Sequence, residues 1–346
     1  MEEPEITTLL RKIQLTGGST YVVSLPKNWA RSVGIKPGTH VQIIPQPDMS
    51  LLIIPKEEKE KEEPSEVLID TSTAEKPEDV AREFIACYLV GYDIIRLRFR
   101  QRATEYRAYI KDIIRRKLVG VETIEESATH MATHCLLGHV EFPVKDALSR
   151  MHVLAQSMHK DAMMALKNGD FSLAKDVAQR DDEVDRLYFF VIRQLKMAVQ
   201  NRFMIEEIGL LTSRDCLGYR LIAKSIERIA DHAARIGQVT PTLKYPIIDN
   251  VIVSISEMSN TSIGVCQEAM KSVYQLNIKQ ANQAIAKTSK VTKLEKEAID
   301  QILLAKLNVR TVIGLRLILE SIRRTAEYGA DIAEIAINLA KKGKFS

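Results

Sequence analysis

Two short acidic steps carry the residues best placed to do chemistry: Asp181-Asp182-Glu183-Val184-Asp185 and Glu227-Arg228-Ile229-Ala230-Asp231. Each lies in a stretch with helical periodicity and sets two carboxylates four residues apart. On a helix, positions i and i+4 share one face, about one turn apart. Asp181 and Asp185 therefore point one way, and Glu227 and Asp231 do the same. If the two helices pack side by side, four carboxylates converge. Unpaired, they repel each other, so the spot must hold a cation or face water. The plain alternative is a solvated helix face balanced by Lys224 and Arg228. His232 is rotated about 100° from Asp231 and reads as a packing or capping residue.

The elements that would position these groups follow from composition and pattern. At 346 residues the chain has room for two or three domains. With 27% charged and only 5% aromatic residues, it favours packed helices over a β-sandwich. From Phe142 onward there is no convincing strand signal, and the segment is an internal duplication. Leu148–Leu187 aligns without gaps on Ile255–Leu294, and Arg220–Ile236 aligns on Arg316–Ile332. Each unit reads as three long helices, with breaks near Asn168-Gly169-Asp170 and Asn277 and a looser link before the third. Two three-helix bundles follow, over 142–240 and 246–344.

The second unit departs from the first at the acidic positions. Thr288 and Thr292 stand in register with Asp181 and Asp185, and Arg323 and Glu327 with Glu227 and Asp231. Arg323 and Glu327 are themselves spaced to pair. A complete acidic site is thus expected in the first unit and none in the second.

Ahead of the duplication the character changes twice. Residues 67–141 alternate strand-like runs (67–69, 94–99, 121–124) with helical patterns at 77–89 and 104–118. That order suggests a small α/β sandwich of ferredoxin-like type. His130, His134, Cys135 and His139 tempt a metal assignment, but 128–136 reads as a strand. Residues four apart on a strand are separated by about 13 Å, too far for one ion. Residues 56–66 are a Lys/Glu-rich stretch ending near a proline, read as a charged linker.

Residues 1–55 hold short strand signals near 13–15, 21–25, 41–44 and 51–54, separated by Gly17-Gly18, Pro37-Gly38 and Pro47-Asp48. Pro26–Arg31 fits a short helix with proline at its start. Between Ile6 and Pro47 there is no Asp or Glu, while Arg11, Lys12, Lys27, Arg31 and Lys36 are all positive. That asymmetry points to an anionic partner. So short a β-segment buries little by itself, which implies a dimer.

Gly18–Lys27 followed by Gly34-Ile35-Lys36-Pro37-Gly38 resembles the AbrB/SpoVT swapped-hairpin domain. The resemblance implies interlocked hairpins from two chains and duplex DNA binding, with Arg11, Lys12, Lys27 and Arg31 at comparable places. The tandem units, with D-x-x-V-D on the second helix and E-R-I-A-D-H-A on the third, resemble PhoU proteins over about 143–340. That implies a regulator of phosphate uptake and signalling, with Asp181, Asp185, Glu227 and Asp231 holding iron or zinc, and manganese or magnesium also suited to oxygen donors.

The chain is therefore read as a multidomain phosphate-responsive transcription regulator. An adaptor for a phosphate transporter ATPase or sensor kinase, with the N-terminal part only dimerising, is the alternative; a metal-dependent hydrolase is a third. No Gly-rich phosphate loop, nucleophile elbow or base–nucleophile spacing is visible, so catalysis is not expected. The four scattered cysteines form no CxxC pair, and no stretch approaches twenty uncharged apolar residues; a cytoplasmic protein is expected.

Overall fold

The computed structural model describes residues 9–45, 49–55, 64–100, 103–136 and 142–341. The chain divides into two compact units, one ending at Glu63 and one spanning Pro64–Lys341. Most of the stretch expected as a linker, and His139, lie outside the described residues.

In the first unit, β1 (Gln14–Thr16) pairs antiparallel with β2 (Thr20–Val22), and β3 (Val41–Pro45) with β4 (Leu51–Pro55). Gly17 and Gly18 both take positive φ, as the tight turn between β1 and β2 requires. Helix α1 (Lys27–Ser32) starts after Pro26. The two hairpins form separate two-stranded sheets. β2 ends at Val22, short of the expected Leu25, where its partner Gln14 begins β1. None of the described residues 9–55 is buried. Leu10, Ile13, Tyr21 and Leu51 are all well exposed.

The second unit opens with a four-stranded mixed sheet in the order β5-β6-β8-β7. Its strands are β5 (Glu66–Asp70), β6 (Ile94–Arg98), β7 (Val121–Glu126) and β8 (His130–Cys135). Helix α2 (Pro77–Val90) links β5 to its parallel neighbour β6, and α3 (Ala103–Lys117) links β6 to β7. Ile69, Ile95, Leu97 and Met131 from the strands meet Val80, Phe84, Tyr88 and Ile110 from the helices in one core. Burying each large side chain contributes about 1.5–3 kcal/mol. An α/β sandwich was expected and forms. Its connectivity, β-α-β-α-β-β, is not the ferredoxin-like β-α-β-β-α-β. The difference lies in α3, which follows the second strand, so that β7 and β8 run on as a hairpin, with β8 pairing to both β6 and β7.

The first helical repeat comprises α4 (Val144–Asn168), α5 (Phe171–Gln200), the short α6 (Arg202–Glu207) in the loose link, and α7 (Ser213–Val239). The second comprises α8 (Asp249–Gln275), α9 (Ile278–Ala286), α10 (Thr288–Leu304) and α11 (Val309–Ala340). Its expected single second helix is broken at Lys287. Thr288 and Ser289 donate their hydroxyls to the carbonyls of Ile285 and Ala286, drawing them from the helical ladder.

The duplication extends to the caps. Asp170 accepts from the Leu173 N–H at the start of α5, and Asn277 from the Gln280 N–H at the start of α9. Thr212 and Asn308 cap α7 and α11 in the same matched way. The repeats join along α7 and α11, and one continuous apolar core runs through both. Gly218 on α7 lies against Leu339 and Ile335 of α11, while its counterpart Gly314 on α11 lies against Leu243 and Val239, just beyond and at the end of α7. Each glycine makes room for a leucine side chain that a Cβ would crowd.

Candidate metal centre and nucleic-acid face

Helices α5 and α7 pack side by side and bring the two acidic steps together. Asp185 and Glu227 are buried, and Asp181 and Asp231 are half-buried. The four carboxylates act on one another. Burial, then the charges of Asp185, Asp231 and Glu227, push the Asp181 pKa up to about 7, against the pull of Lys117. Burial, then Glu227 and Asp185, raise Asp231 to about 6, with Lys224 and Arg228 opposing.

Positive charge is already in place. Lys117 Nζ, at the end of α3, stands 2.8 Å from Asp185 Oδ2, and the neighbouring Arg116 reaches Asp182 Oδ2 at 2.7 Å. Burial draws the Lys117 pKa down, but the hydrogen bond and charge of Asp185, with Asp182 and Asp181, carry it above its ordinary value. On α7, Lys224 Nζ lies 2.6 Å from Glu227 Oε1 and over the Tyr188 ring, and Arg228 lies 3.8 Å from Glu227 Oε2. Asp181 Oδ1 and Glu227 Oε2 accept no hydrogen bond.

The donor chemistry, hard oxygens at helical spacing, suits a divalent ion. The arrangement does not. Among the described residues, no group of three or more His, Cys, Asp or Glu side chains is disposed to hold a metal. Protein cations occupy oxygens that such an ion would need. Sequence spacing brought the carboxylates together but missed Arg116 and Lys117. Arg115-Arg116-Lys117 at a helix C-terminus was the available signal, since cations favour that end; its partner lies 68 residues away.

The second repeat neutralises itself. Arg323 pairs with Glu327, as its spacing implied, and lies 3.4 Å from Glu295. Arg316 bonds Glu295 at 2.7 Å and Arg324 bonds Glu327 at 2.8 Å. Buried Glu295 was not singled out from sequence; in register it replaces Tyr188. Thr288 and Thr292 each bond a backbone carbonyl. His130 and His134 sit on β8 with its strand spacing, as expected.

On the first unit, Arg11 and Lys12 precede β1, and Lys27 and Arg31 lie one turn apart on α1. All four are exposed.

A family model described as "PhoU domain" matches residues 148–240 and 255–336, together about half of the chain. A second, "Antidote-toxin recognition MazE, bacterial antitoxin", matches residues 14–61. Two curated relatives, from two strains of Caulobacter vibrioides, are named phosphate-specific transport system accessory protein PhoU homolog. Each is 31% identical over 93 residues, which is 27% of this chain and 37% of the relative's own length. Among solved structures, the phosphate transport system regulatory protein PhoU from Streptococcus pneumoniae aligns with a TM-score of 0.49 at 16% identity, over 57% of this chain and 92% of that one. PhoU from Pseudomonas aeruginosa aligns with a TM-score of 0.42 at 18% identity, over 57% and 94%. The chain belongs to the PhoU family, and its N-terminal segment is similar to MazE antitoxins.

Proposed function

We propose that this PhoU-family chain is a non-enzymatic, phosphate-responsive transcription regulator acting in the cytoplasm. Its N-terminal unit would form a homodimer on duplex DNA, and its helical repeats would sense state. The observation that carries the reading is the character of residues 9–55. They expose Leu10, Ile13, Tyr21 and Leu51, and none of those described is buried. A second copy supplies the missing apolar partner. The same segment has no acidic residue between Ile6 and Pro47, and Arg11, Lys12, Lys27 and Arg31 are exposed, where they can meet phosphates. No helix among the described residues is long and apolar enough to cross a membrane.

The second reading is an adaptor on a phosphate transporter ATPase or sensor kinase. The name of the Caulobacter relatives, a transport-system accessory protein, favours it for the helical half.

Fluorescence anisotropy with duplex DNA from upstream of the chain's own gene separates the two. Binding should weaken linearly on a log–log salt plot, and the Arg11→Ala/Lys12→Ala pair should shallow the slope by about 0.9 per lost phosphate contact. No binding at low salt overturns the DNA reading and leaves the adaptor.

A further inference from the structure

The two repeats close the gap before their third long helix in different ways. In the first, the link between α5 and α7 carries α6, and Met204, Ile205, Ile208 and Leu210 turn inward as a buried cover. In the second, α10 runs to Leu304 and α11 starts at Val309, so the link over 305–308 is too short to carry one. Leu304 stands in register with Met197, which packs on the helical core and lies against Gly91 of the α/β domain. Leu304 itself is 73% exposed, with Leu303 at 65%, Val309 at 74% and Ile313 at 57%. Walls of a groove shade one another. Four large apolar side chains this bare, gathered at one helix–helix turn, form a convex corner, and a patch of that kind marks an interaction site.

The charge around this corner has one sign. No Asp or Glu occurs from Gln301 to Leu319, while Lys306 in the turn and Arg310 in the first turn of α11 are exposed. Arg316, the third cation of the run, is held by Glu295. We propose that the α10–α11 corner of the second repeat docks the protein on an anionic lipid surface. Leu303, Leu304, Val309 and Ile313 enter the boundary between headgroups and acyl chains, and Lys306 and Arg310 meet lipid phosphates. Two observations select this occupant. A projecting corner can sink into a yielding surface, whereas a partner helix lies in a groove, which this corner does not offer. The matching corner of the first repeat also exposes Leu211 and Leu217, but its flanking sequence mixes Arg214 with Glu206, Glu207 and Asp215. Charge therefore singles out the second repeat. The contact is peripheral, since no helix among the described residues is long and apolar enough to cross a membrane.

The inference stands apart from the DNA reading, so an absence of DNA binding leaves it intact. The test is co-sedimentation of the full-length protein with vesicles of phosphatidylglycerol and phosphatidylcholine, against vesicles of phosphatidylcholine alone. Wild type should bind the anionic vesicles at least about tenfold more tightly than the neutral ones. Leu303→Ser/Leu304→Ser should weaken binding to the anionic vesicles by about tenfold or more. Lys306→Gln/Arg310→Gln should weaken it by about fivefold per charge. All four positions are exposed, so the urea midpoints of both variants should match that of wild type. The N-terminal unit is itself basic, and Arg11→Ala/Lys12→Ala serves as its control: affinity should stay within about twofold of wild type. Wild type that ignores anionic vesicles overturns the proposal and leaves this corner to a protein partner with an acidic pocket. It fails equally if Leu303→Ser/Leu304→Ser binds like wild type, or if the Arg11→Ala/Lys12→Ala pair abolishes binding, since the N-terminal unit would then be the part that meets lipid.

Discussion

The imidazole of His232 stacks on the ring of Tyr328, with centroids 5.8 Å apart, and these two residues hold the same position in the two repeats. A residue that touches its own counterpart lies beside a twofold axis. The reciprocal seats of Gly218 and Gly314 place the same axis between α7 and α11. Internal symmetry therefore organises the packing of the helical half, as well as its sequence.

The turn between the first two helices of each repeat tests this equivalence. Gly169 takes φ 64°, and its counterpart Leu276 takes φ 49°, a left-handed conformation that costs a branched residue about 1–2 kcal/mol. Gly169→Ala should lower stability by at least about 1 kcal/mol, because its Cβ also meets Tyr245 Cδ1 at 3.1 Å. Leu276→Gly should raise stability by roughly 0.5 kcal/mol, strain relief outweighing the added freedom of the unfolded chain. Urea midpoints measure both, and a loss of stability in Leu276→Gly would contradict the account.

Arg193 should be the least replaceable residue on α5. Its buried guanidinium satisfies three carbonyls at the end of α2 and lies over the Tyr88 ring. Arg193→Met strips this donor from the Gly91 and Tyr92 carbonyls, while Tyr88 keeps the Gly91 N–H, and should cost at least about 2 kcal/mol by urea unfolding. Arg193→Lys should recover little of it, since one ammonium cannot span the fork.

Much of this was legible beforehand, for physical reasons. The offset of 107 residues between Leu148–Leu187 and its copy is local periodicity repeated, and Asp170 and Asn277 are capping types at the expected breaks. The position of β8 in the sheet, between β6 and β7, was not legible. Strand order depends on pairings distant in sequence, to which period-two alternation is blind. Lys117 and Glu295 escaped for a related cause: a charge shows its partner only after the helices have packed. The break at Lys287 had a local signal in Thr288-Ser289, but it was outweighed by apolar periodicity on both sides.

Acid should destabilise the helical half through its histidines. Burial depresses His152, His159 and His232 to about 4, and His159 gives one ring nitrogen to Ser259 while the other has no partner. Unfolded histidine takes its proton near 6.5, so lowering the pH from there to about 4 favours the unfolded chain. Asp181 and Asp231 act in the opposite sense. Their folded values of about 7 and about 6 exceed 3.8, so their contribution weakens as pH rises through those values. His159→Gln should flatten the acid limb of thermal stability. Asp181→Asn/Asp231→Asn should steepen it, and should raise the melting temperature at pH 8 in chelator. The opposite sign in either variant refutes this assignment.

Self-association should belong to the N-terminal unit. The full chain should sediment as a dimer at micromolar concentration, and a chain beginning at Pro64 as a monomer. A monomeric full chain would remove the second copy on which the exposed Leu10, Ile13 and Tyr21 depend.

The α7–α11 contact has a consequence for how the two repeats could change. It is isologous, the same patch used twice, as in a symmetric pair of identical subunits. In such a pair every substitution is made twice, and losing a carboxylate from one half loses it from both. Fused into one chain, the halves are free to differ while the shared face holds them in place. Arg323 could enter where Glu227 stands in the other half, and the break at Lys287 could form, without disturbing the seats of Gly218 and Gly314. One half keeps its charge and carries a passenger domain; the other has become its scaffold.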